Sequence, residues 1–206
     1  MENEYNKQEN ENENEVKEPA LKYNYISPDD YLEMERTTPR KHEYFNGRLV
    51  AMAGASQHHL DINSNLHGEI YQFLKEKPCR PLLSDFKVVS ADRESFTYPD
   101  LTIVCSDPMM ADHACDTMLN PSVIIEILSK STAKYDMGEK FLYYKTIPCL
   151  REYILIDSRK RFARIMRRQL DGKWEMKDII GENGEVTIQL IDLTLSFDSI
   201  YKHTHL

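Results

Sequence analysis

Val123-Ile124-Ile125-Glu126-Ile127-Leu128 is the stretch on which the reading of this chain turns. Five of its six side chains are aliphatic, and Pro121 and Ser129 bound it. A short unbroken run rich in Ile and Val is the pattern of a strand covered on both faces. Side chains alternate along a strand, so Ile124, Glu126 and Leu128 share one face. A carboxylate among such neighbours is costly unless a cation meets it. An ion pair with an Arg or Lys is one way to meet that need; a bound metal ion is the other.

Working upstream, Tyr98-Pro99-Asp100-Leu101-Thr102-Ile103-Val104 places an acid at the mouth of a second apolar strand, Leu101–Cys105. Proline has no N–H for the ladder, which suits the residue just before a strand. Taken alone, an Asp beside a Pro is an ordinary turn residue. Its interest lies in the pair. If the two strands are neighbours, Asp100 and Glu126 converge. Carboxylate oxygens of that kind suit a hard divalent cation such as Mg²⁺ or Mn²⁺. Such an ion polarises a phosphodiester and lowers the pKa of a bound water.

Further outward, Ser27-Pro28-Asp29-Asp30 reads as a helix start, with a capping serine, proline at the first helical position and acids at the positive end of the dipole. Glu43-Tyr44-Phe45, Asn46-Gly47 and Leu49-Val50-Ala51-Met52 predict a hairpin. A helix is expected from about Ser56 to Lys75, with Leu60, Ile62, Leu66, Ile70, Phe73 and Leu74 as its apolar stripe. Leu82–Val89 reads as one strand, with Asp85 on its solvent side. Residues 135–147 read as one helix ended by Pro148, and Tyr153–Ile156 as another buried strand. Phe162–Met166, Trp174–Ile180 and Val186–Ile191 read as a β meander. The order is that of a mixed α/β or α+β layer architecture around a central sheet.

The chain has 206 residues, 41% of them hydrophobic and 29% charged, with a net charge of −8. Residues 1–20 hold seven Glu and two Lys. A segment so poor in apolar side chains cannot repay its ordering entropy, so a disordered acidic tail (1–20) ahead of one domain (21–206) is expected. The remainder carries −3, which is no strong sign of a basic duplex-binding face. One basic stretch stands out, with Arg151, Arg159, Lys160, Arg161, Arg164, Arg167 and Arg168 against Glu152 and Asp157. It reads as a solvated hairpin face, with phosphate contact as the functional alternative. No run is long enough for a membrane span, and no apolar leader opens the chain. Cys79, Cys105, Cys115 and Cys149 include no CxxC pair, so they are expected to be reduced thiols of a cytoplasmic protein. Phosphate-binding loops, nucleophile elbows and HExxH spacing are all missing, and His58-His59 reads as a capping or packing pair.

The motifs, in their order, carry a resemblance. Pro28-Asp29-Asp30-Tyr31-Leu32, the hairpin Glu43 to Met52, Ser56 to His59 leading to Asn65-Leu66, Tyr98-Pro99-Asp100-Leu101, Glu126-Ile127-Leu128-Ser129, Asp136-Met137-Gly138-Glu139-Lys140 and Glu152-Tyr153 span about residues 23–195. Together they resemble the Uma2 family of restriction endonuclease-like proteins, a branch of the PD-(D/E)XK nuclease superfamily. The resemblance implies a restriction endonuclease-like central mixed sheet flanked by helices, with the β meander at its C-terminal end. It implies a Mg²⁺-dependent (or Mn²⁺-dependent) endonuclease acting on nucleic acid, DNA before RNA, with a homodimer suited to cutting two strands. Asp100 and Glu126 would be the principal metal ligands, with Glu43 the extra acid from upstream; otherwise Glu43 is an ordinary hairpin residue. His59 matches a family position and would line the cleft. The sequence departs from the pattern at one point. The lysine expected two residues after the acid is Leu128. Lys140 is the substitute this branch implies, and Lys87 is a second candidate. If neither reaches the acids, the alternative is a catalytically inactive binding module that keeps the fold.

Overall fold

The computed structural model describes residues 25–206; the acidic segment 1–20 lies outside them. The chain opens with α1 (Pro28–Glu35), whose N-terminus is capped by Ser27 accepting from the Asp30 N–H. β1 (His42–Phe45) and β2 (Arg48–Ala51) form the expected hairpin, with Phe45 opposite Arg48. Asn46 and Gly47 have φ of +44° and +83°, the left-handed pair that a two-residue turn of matching twist requires. α2 (Gln57–Leu74) starts at the Ser56 cap and buries Ile62, Leu66, Ile70 and Leu74, while Leu60 lies on its exposed side.

Six short strands follow: β3 (Arg80–Leu83), β4 (Lys87–Val89), β5 (Ser95–Thr97), β6 (Leu101–Val104), β7 (Thr117–Met118) and β8 (Val123–Leu128). Next come α3 (Ala133–Met137) and α4 (Glu139–Tyr144). β9 (Glu152–Asp157), β10 (Phe162–Arg168), β11 (Trp174–Ile180), β12 (Glu185–Ile188), a 3₁₀ turn (Gln189–Ile191), β13 (Leu193–Ser196) and α5 (Phe197–Ile200) complete the chain.

Two large sheets result. One runs β2-β1-β5-β4-β7 and the other β11-β10-β9-β8-β6-β3, with β12 and β13 as a separate ribbon. The six-stranded sheet is mixed, since β8 lies antiparallel to β6 and parallel to β9. The chain passes from one sheet to the other through Tyr98-Pro99-Asp100, between β5 and β6. Pro99 fits there because neither ladder asks it for an N–H.

β8 is buried along its whole length. Val123, Ile125 and Ile127 pack with Leu101, Ile103, Ile154 and Ile156 beneath the apolar stripe of α2. Ile124 and Leu128 lie in a second cluster with Leu155, Tyr153, Tyr144 and Ile147. Each such aliphatic side chain contributes about 1.5–3 kcal/mol on burial. Among the described residues no helix is long and apolar enough to cross a membrane.

Several expectations are corrected. The central mixed sheet is the six-stranded one, and a second, five-stranded sheet accompanies it. Leu82–Val89 is not one strand but β3 and β4, one in each sheet. Asp85 sits in the turn between them and pairs with Lys41, because the Ser84-Asp85 corner lets the chain change sheets. The helix of residues 135–147 is broken at Gly138, whose φ and ψ of −124° and −90° are not helical. The last meander strand stops at Ile188 and pairs with β13 rather than β11, because the 3₁₀ turn folds the chain back on itself. Cys79 and Cys105 form a disulfide, leaving Cys115 and Cys149 free. The pairing follows from register: Arg80 lies opposite Val104, so the next residues outward face each other.

Candidate active site

The antiparallel register of β6 and β8 sets Leu101 opposite Ile125, which brings Asp100 beside Glu126. The Asp100 N–H donates to Glu126 Oε2 at 3.3 Å. In return Asp100 Oδ2 accepts the Ile127 N–H at 2.7 Å. The other oxygen, Oδ1, lies 2.9 Å from His59 Nε2, which the first turn of α2 holds over the strand. Both oxygens of Asp100 are thereby oriented by groups from two different elements.

Glu126 points to the face covered by α4. Its Oε1 accepts from Lys140 Nζ at 2.8 Å and from the Tyr144 hydroxyl at 2.9 Å. The same ammonium lies 2.9 Å from Glu43 Oε1 and 3.7 Å from Asp136 Oδ1. Glu43 comes from the other sheet, and its Oε1 also accepts the Tyr98 N–H at 3.1 Å. Thr97 meets the Tyr144 hydroxyl at 2.8 Å. Glu43, Glu126, Asp136 and Lys140 are all buried. The break at Gly138 joins α3 to α4 so that Asp136 and Lys140, four residues apart, face the same point.

Four carboxylates thus surround one lysine and one histidine. Burial pushes the Glu126 carboxyl up to about 8, Asp100, Asp136 and Glu43 push the same way, and Lys140 opposes them. Burial also raises Asp136, again against Lys140. For Lys140 burial acts to lower the pKa, but Glu126 and Glu43 outweigh it and hold the ammonium well above its ordinary value. His59 is raised in the same manner, its burial overcome by Asp100 and then Asp136. The cluster holds more negative charge than its own cations cancel, so it takes up protons or a further cation.

The donor set fits a hard divalent ion. Among the described residues no three His, Cys, Asp or Glu side chains form a ready-made cage. Magnesium does not need one: it binds through one or two carboxylates, keeps several waters and takes phosphate oxygens from a substrate. Asp100 and Glu126 are two adjacent carboxylates of the kind such an ion takes, in a cluster with surplus negative charge.

Of the residues singled out from sequence, Glu43, Asp100, Glu126, Lys140 and His59 meet here. The plain alternative for Glu126, a pairing with lysine, is present too, but one ammonium is shared among three acids. Lys87 does not reach the site and binds Asp116 at 2.8 Å. Five of the seven cations of the basic stretch are taken up internally: Arg159 pairs with Asp157, Arg161 with Asp198, Arg164 with Asp178 and Arg167 with Glu152, while Arg168 donates to the carbonyls of Lys145, Ile147 and Pro148. Tyr144 lies in the stretch read from sequence only as a helix and is not singled out there. Its spacing of four from Lys140, on one helix face, was the available signal. No signal in the sequence pointed to Thr97.

The mixed six-stranded sheet with helices packed on it has the restriction endonuclease-like fold, and acids from both sheets meet a buried lysine beside it. The chain belongs to the Uma2 family: the family profile, described as "Putative restriction endonuclease", matches residues 28–198. Two uncharacterized proteins of Synechocystis sp. are similar over most of their lengths. The protein sll1609 is 31% identical over 164 residues, which cover 80% of this chain and 93% of that one. The protein slr1290 is 30% identical over 185 residues, covering 89% and 95%. The crystal structure of a protein titled a "putative nuclease" from Anabaena variabilis ATCC 29413 superposes with a TM-score of 0.71 at 18% identity, covering 85% of this chain and 97% of that one.

Proposed function

We propose that this protein is a metal-dependent endonuclease that hydrolyses phosphodiester bonds of nucleic acid, DNA before RNA. The observation that carries the reading is the Lys140 ammonium lying between Glu126 and Glu43 at 2.8 and 2.9 Å, beside an Asp100 locked to the same strand. Leu128 leaves the motif's lysine position without a charge, and Lys140 brings one to the same face of β8 from the helix above.

Asp100 and Glu126 would hold Mg²⁺ or Mn²⁺, with Glu43 the additional acid, and the bound ion would polarise the phosphate and acidify a water. His59 and the Ile127 N–H keep the Asp100 carboxylate in one orientation. Tyr144 and Lys140 do the same for Glu126. Lys140 Nζ can donate to the attacking water or to the developing charge on the phosphate, the role its position between two acids prepares it for. The surplus of buried negative charge keeps Lys140 protonated, so it serves as a donor and electrostatic support and not as a base.

The test is incubation of the pure protein with supercoiled plasmid, single-stranded DNA and RNA, in Mg²⁺, Mn²⁺ or EDTA. Cleavage that needs the metal and is lost in Asp100→Ala, Glu126→Ala and Lys140→Ala is the expected result. The second reading, an inactive binding module of the same fold, is favoured by Leu128, which stands where the motif has its lysine. It predicts binding of nucleic acid with no cutting under any of these conditions.

A further inference from the structure

The two large sheets end in four edge strands: β2, β7, β3 and β11. An exposed edge is a template for pairing with another chain unless it is short, interrupted by proline, or covered. β7 has two residues, β2 four, and β3 four with Pro81 among them. β11 has seven, without proline, in unbroken register with β10 from Arg168–Trp174 to Phe162–Ile180. Its outer side has no strand partner among the described residues. Met176 is 52% exposed and Ile180 76% exposed.

We propose that β11 is a homodimer interface, pairing antiparallel with β11 of a second copy about a two-fold axis through Met176. The charges along the strand favour a second copy as the occupant, in the register that pairs opposite signs. A two-fold axis that pairs two edges antiparallel stands perpendicular to the sheet and keeps each face on its own side. Residues directly opposite share a face, so the axis must pass through a residue. Centred on Glu175, the strand opposes Glu to Glu; centred on Lys177, Lys to Lys; centred on Asp178, Asp to Asp. Centred on Met176, it sets Glu175 opposite Lys177 twice and Met176 against itself. Trp174 then faces Asp178, whose charge Arg164 of β10 already takes up at 2.6 Å.

The two groups that would pair are otherwise little used. Lys177 makes no ion pair among the described residues, and Glu175 accepts only a hydrogen bond from Gln169 at 2.9 Å. β11 contributes no residue to the acid cluster, so the inference does not depend on the nuclease reading.

Sedimentation velocity over a micromolar concentration series tests it. The unaltered chain should sediment as a dimer. Glu175→Lys and Lys177→Glu each set like charges opposite one another at two places, and each should weaken association by about tenfold or more. The double variant, Glu175→Lys with Lys177→Glu, should restore it, with circular dichroism unchanged throughout. Both residues are exposed, so neither single change should disturb folding. In a Cys115→Ser, Cys149→Ser background, Met176→Cys should form a disulfide-linked dimer with oxidised glutathione, because directly opposed Cβ atoms lie about 4.5–5.5 Å apart. A monomer at every concentration, a dimer indifferent to the single swaps, or cross-linking through Ile180→Cys in preference to Met176→Cys would each overturn the proposal.

Discussion

The Lys140 ammonium sits 2.8 Å from the Glu126 carboxylate, although the two residues belong to different layers, one on a helix and the other in the strand beneath it. The lysine also reaches Glu43 in the other sheet. One cation therefore ties together three elements that share no backbone hydrogen bonding with one another. Removing it leaves two buried acids facing each other.

Lys140→Met should destabilise the fold by about 3 kcal/mol at pH 8, the range for breaking a buried pair. The loss should shrink at pH 5, where Glu126 can take a proton in place of the ammonium. Urea denaturation at the two pH values measures both. An equal loss at pH 5 and pH 8 would show that packing, not charge, is what Lys140 provides.

Stability of the metal-free protein should fall as pH rises from 5 to 8. The Glu126 carboxyl is raised from 4.5 to about 8 in the folded state. Between those values the native chain holds a proton that the unfolded chain has released, so unfolding is favoured as protons become scarce. The slope approaches roughly 1 kcal/mol per pH unit for one such group. Lys140 titrates above this window and does not offset it. Glu126→Gln should flatten the profile, and a slope that persists in that variant would assign it to another group.

Mg²⁺ or Mn²⁺ should bind with release of protons, because the cation replaces the proton that Glu126 otherwise keeps. Calorimetric titration in two buffers of different ionisation enthalpy counts them. Proton release should disappear in Glu126→Gln, and binding should weaken strongly in Asp100→Asn. Binding that is the same in both buffers would place the ion elsewhere.

Tyr144→Phe removes the hydroxyl that donates to Glu126 Oε1 while keeping the ring in its cluster. A stability loss of about 1 kcal/mol is expected, along with roughly tenfold weaker metal binding of the kind seen when a ligand loses its orienting partner. A loss in stability with metal affinity intact would reduce Tyr144 to a packing residue.

The Cys79–Cys105 bond closes a loop of 26 residues between an edge strand and its neighbour. In the chain-entropy account a loop of that size contributes about 3.5 kcal/mol. The oxidised protein should be more stable than a Cys79→Ser, Cys105→Ser variant by about that amount in urea. Equal midpoints would mean that the bridge adds no net stability.

Much of the candidate site is legible in the sequence. A strand buried on both faces has no other use for a glutamate than to meet a cation, so Glu126 declared itself by the cost of its burial. Asp100 was legible through Pro99, which marks where its strand begins. The starts of α1 and α2 and the hairpin turn followed from local chemistry: the Ser27 and Ser56 caps and the Asn46-Gly47 turn act within a few residues. What failed was longer in range. Leu82–Val89 has the composition of one strand, and nothing within it tells that its two halves belong to different sheets. The two facing cysteines are likewise 26 residues apart, and only strand register makes them neighbours.

The sequence by itself determined which side chains had to find partners: the buried acids, the capped helices and the alternating faces of β8. These depend on nearest neighbours and on the free energy of burying charge, which the order of residues already contains. Tertiary structure alone decided that Lys140 and not Lys87 meets Glu126, that Tyr144 joins it, and that the acids of two sheets share one ammonium. The physical reason is that a lysine side chain reaches only a few ångströms, and which carboxylate lies within that reach is settled by how sheets and helices stack.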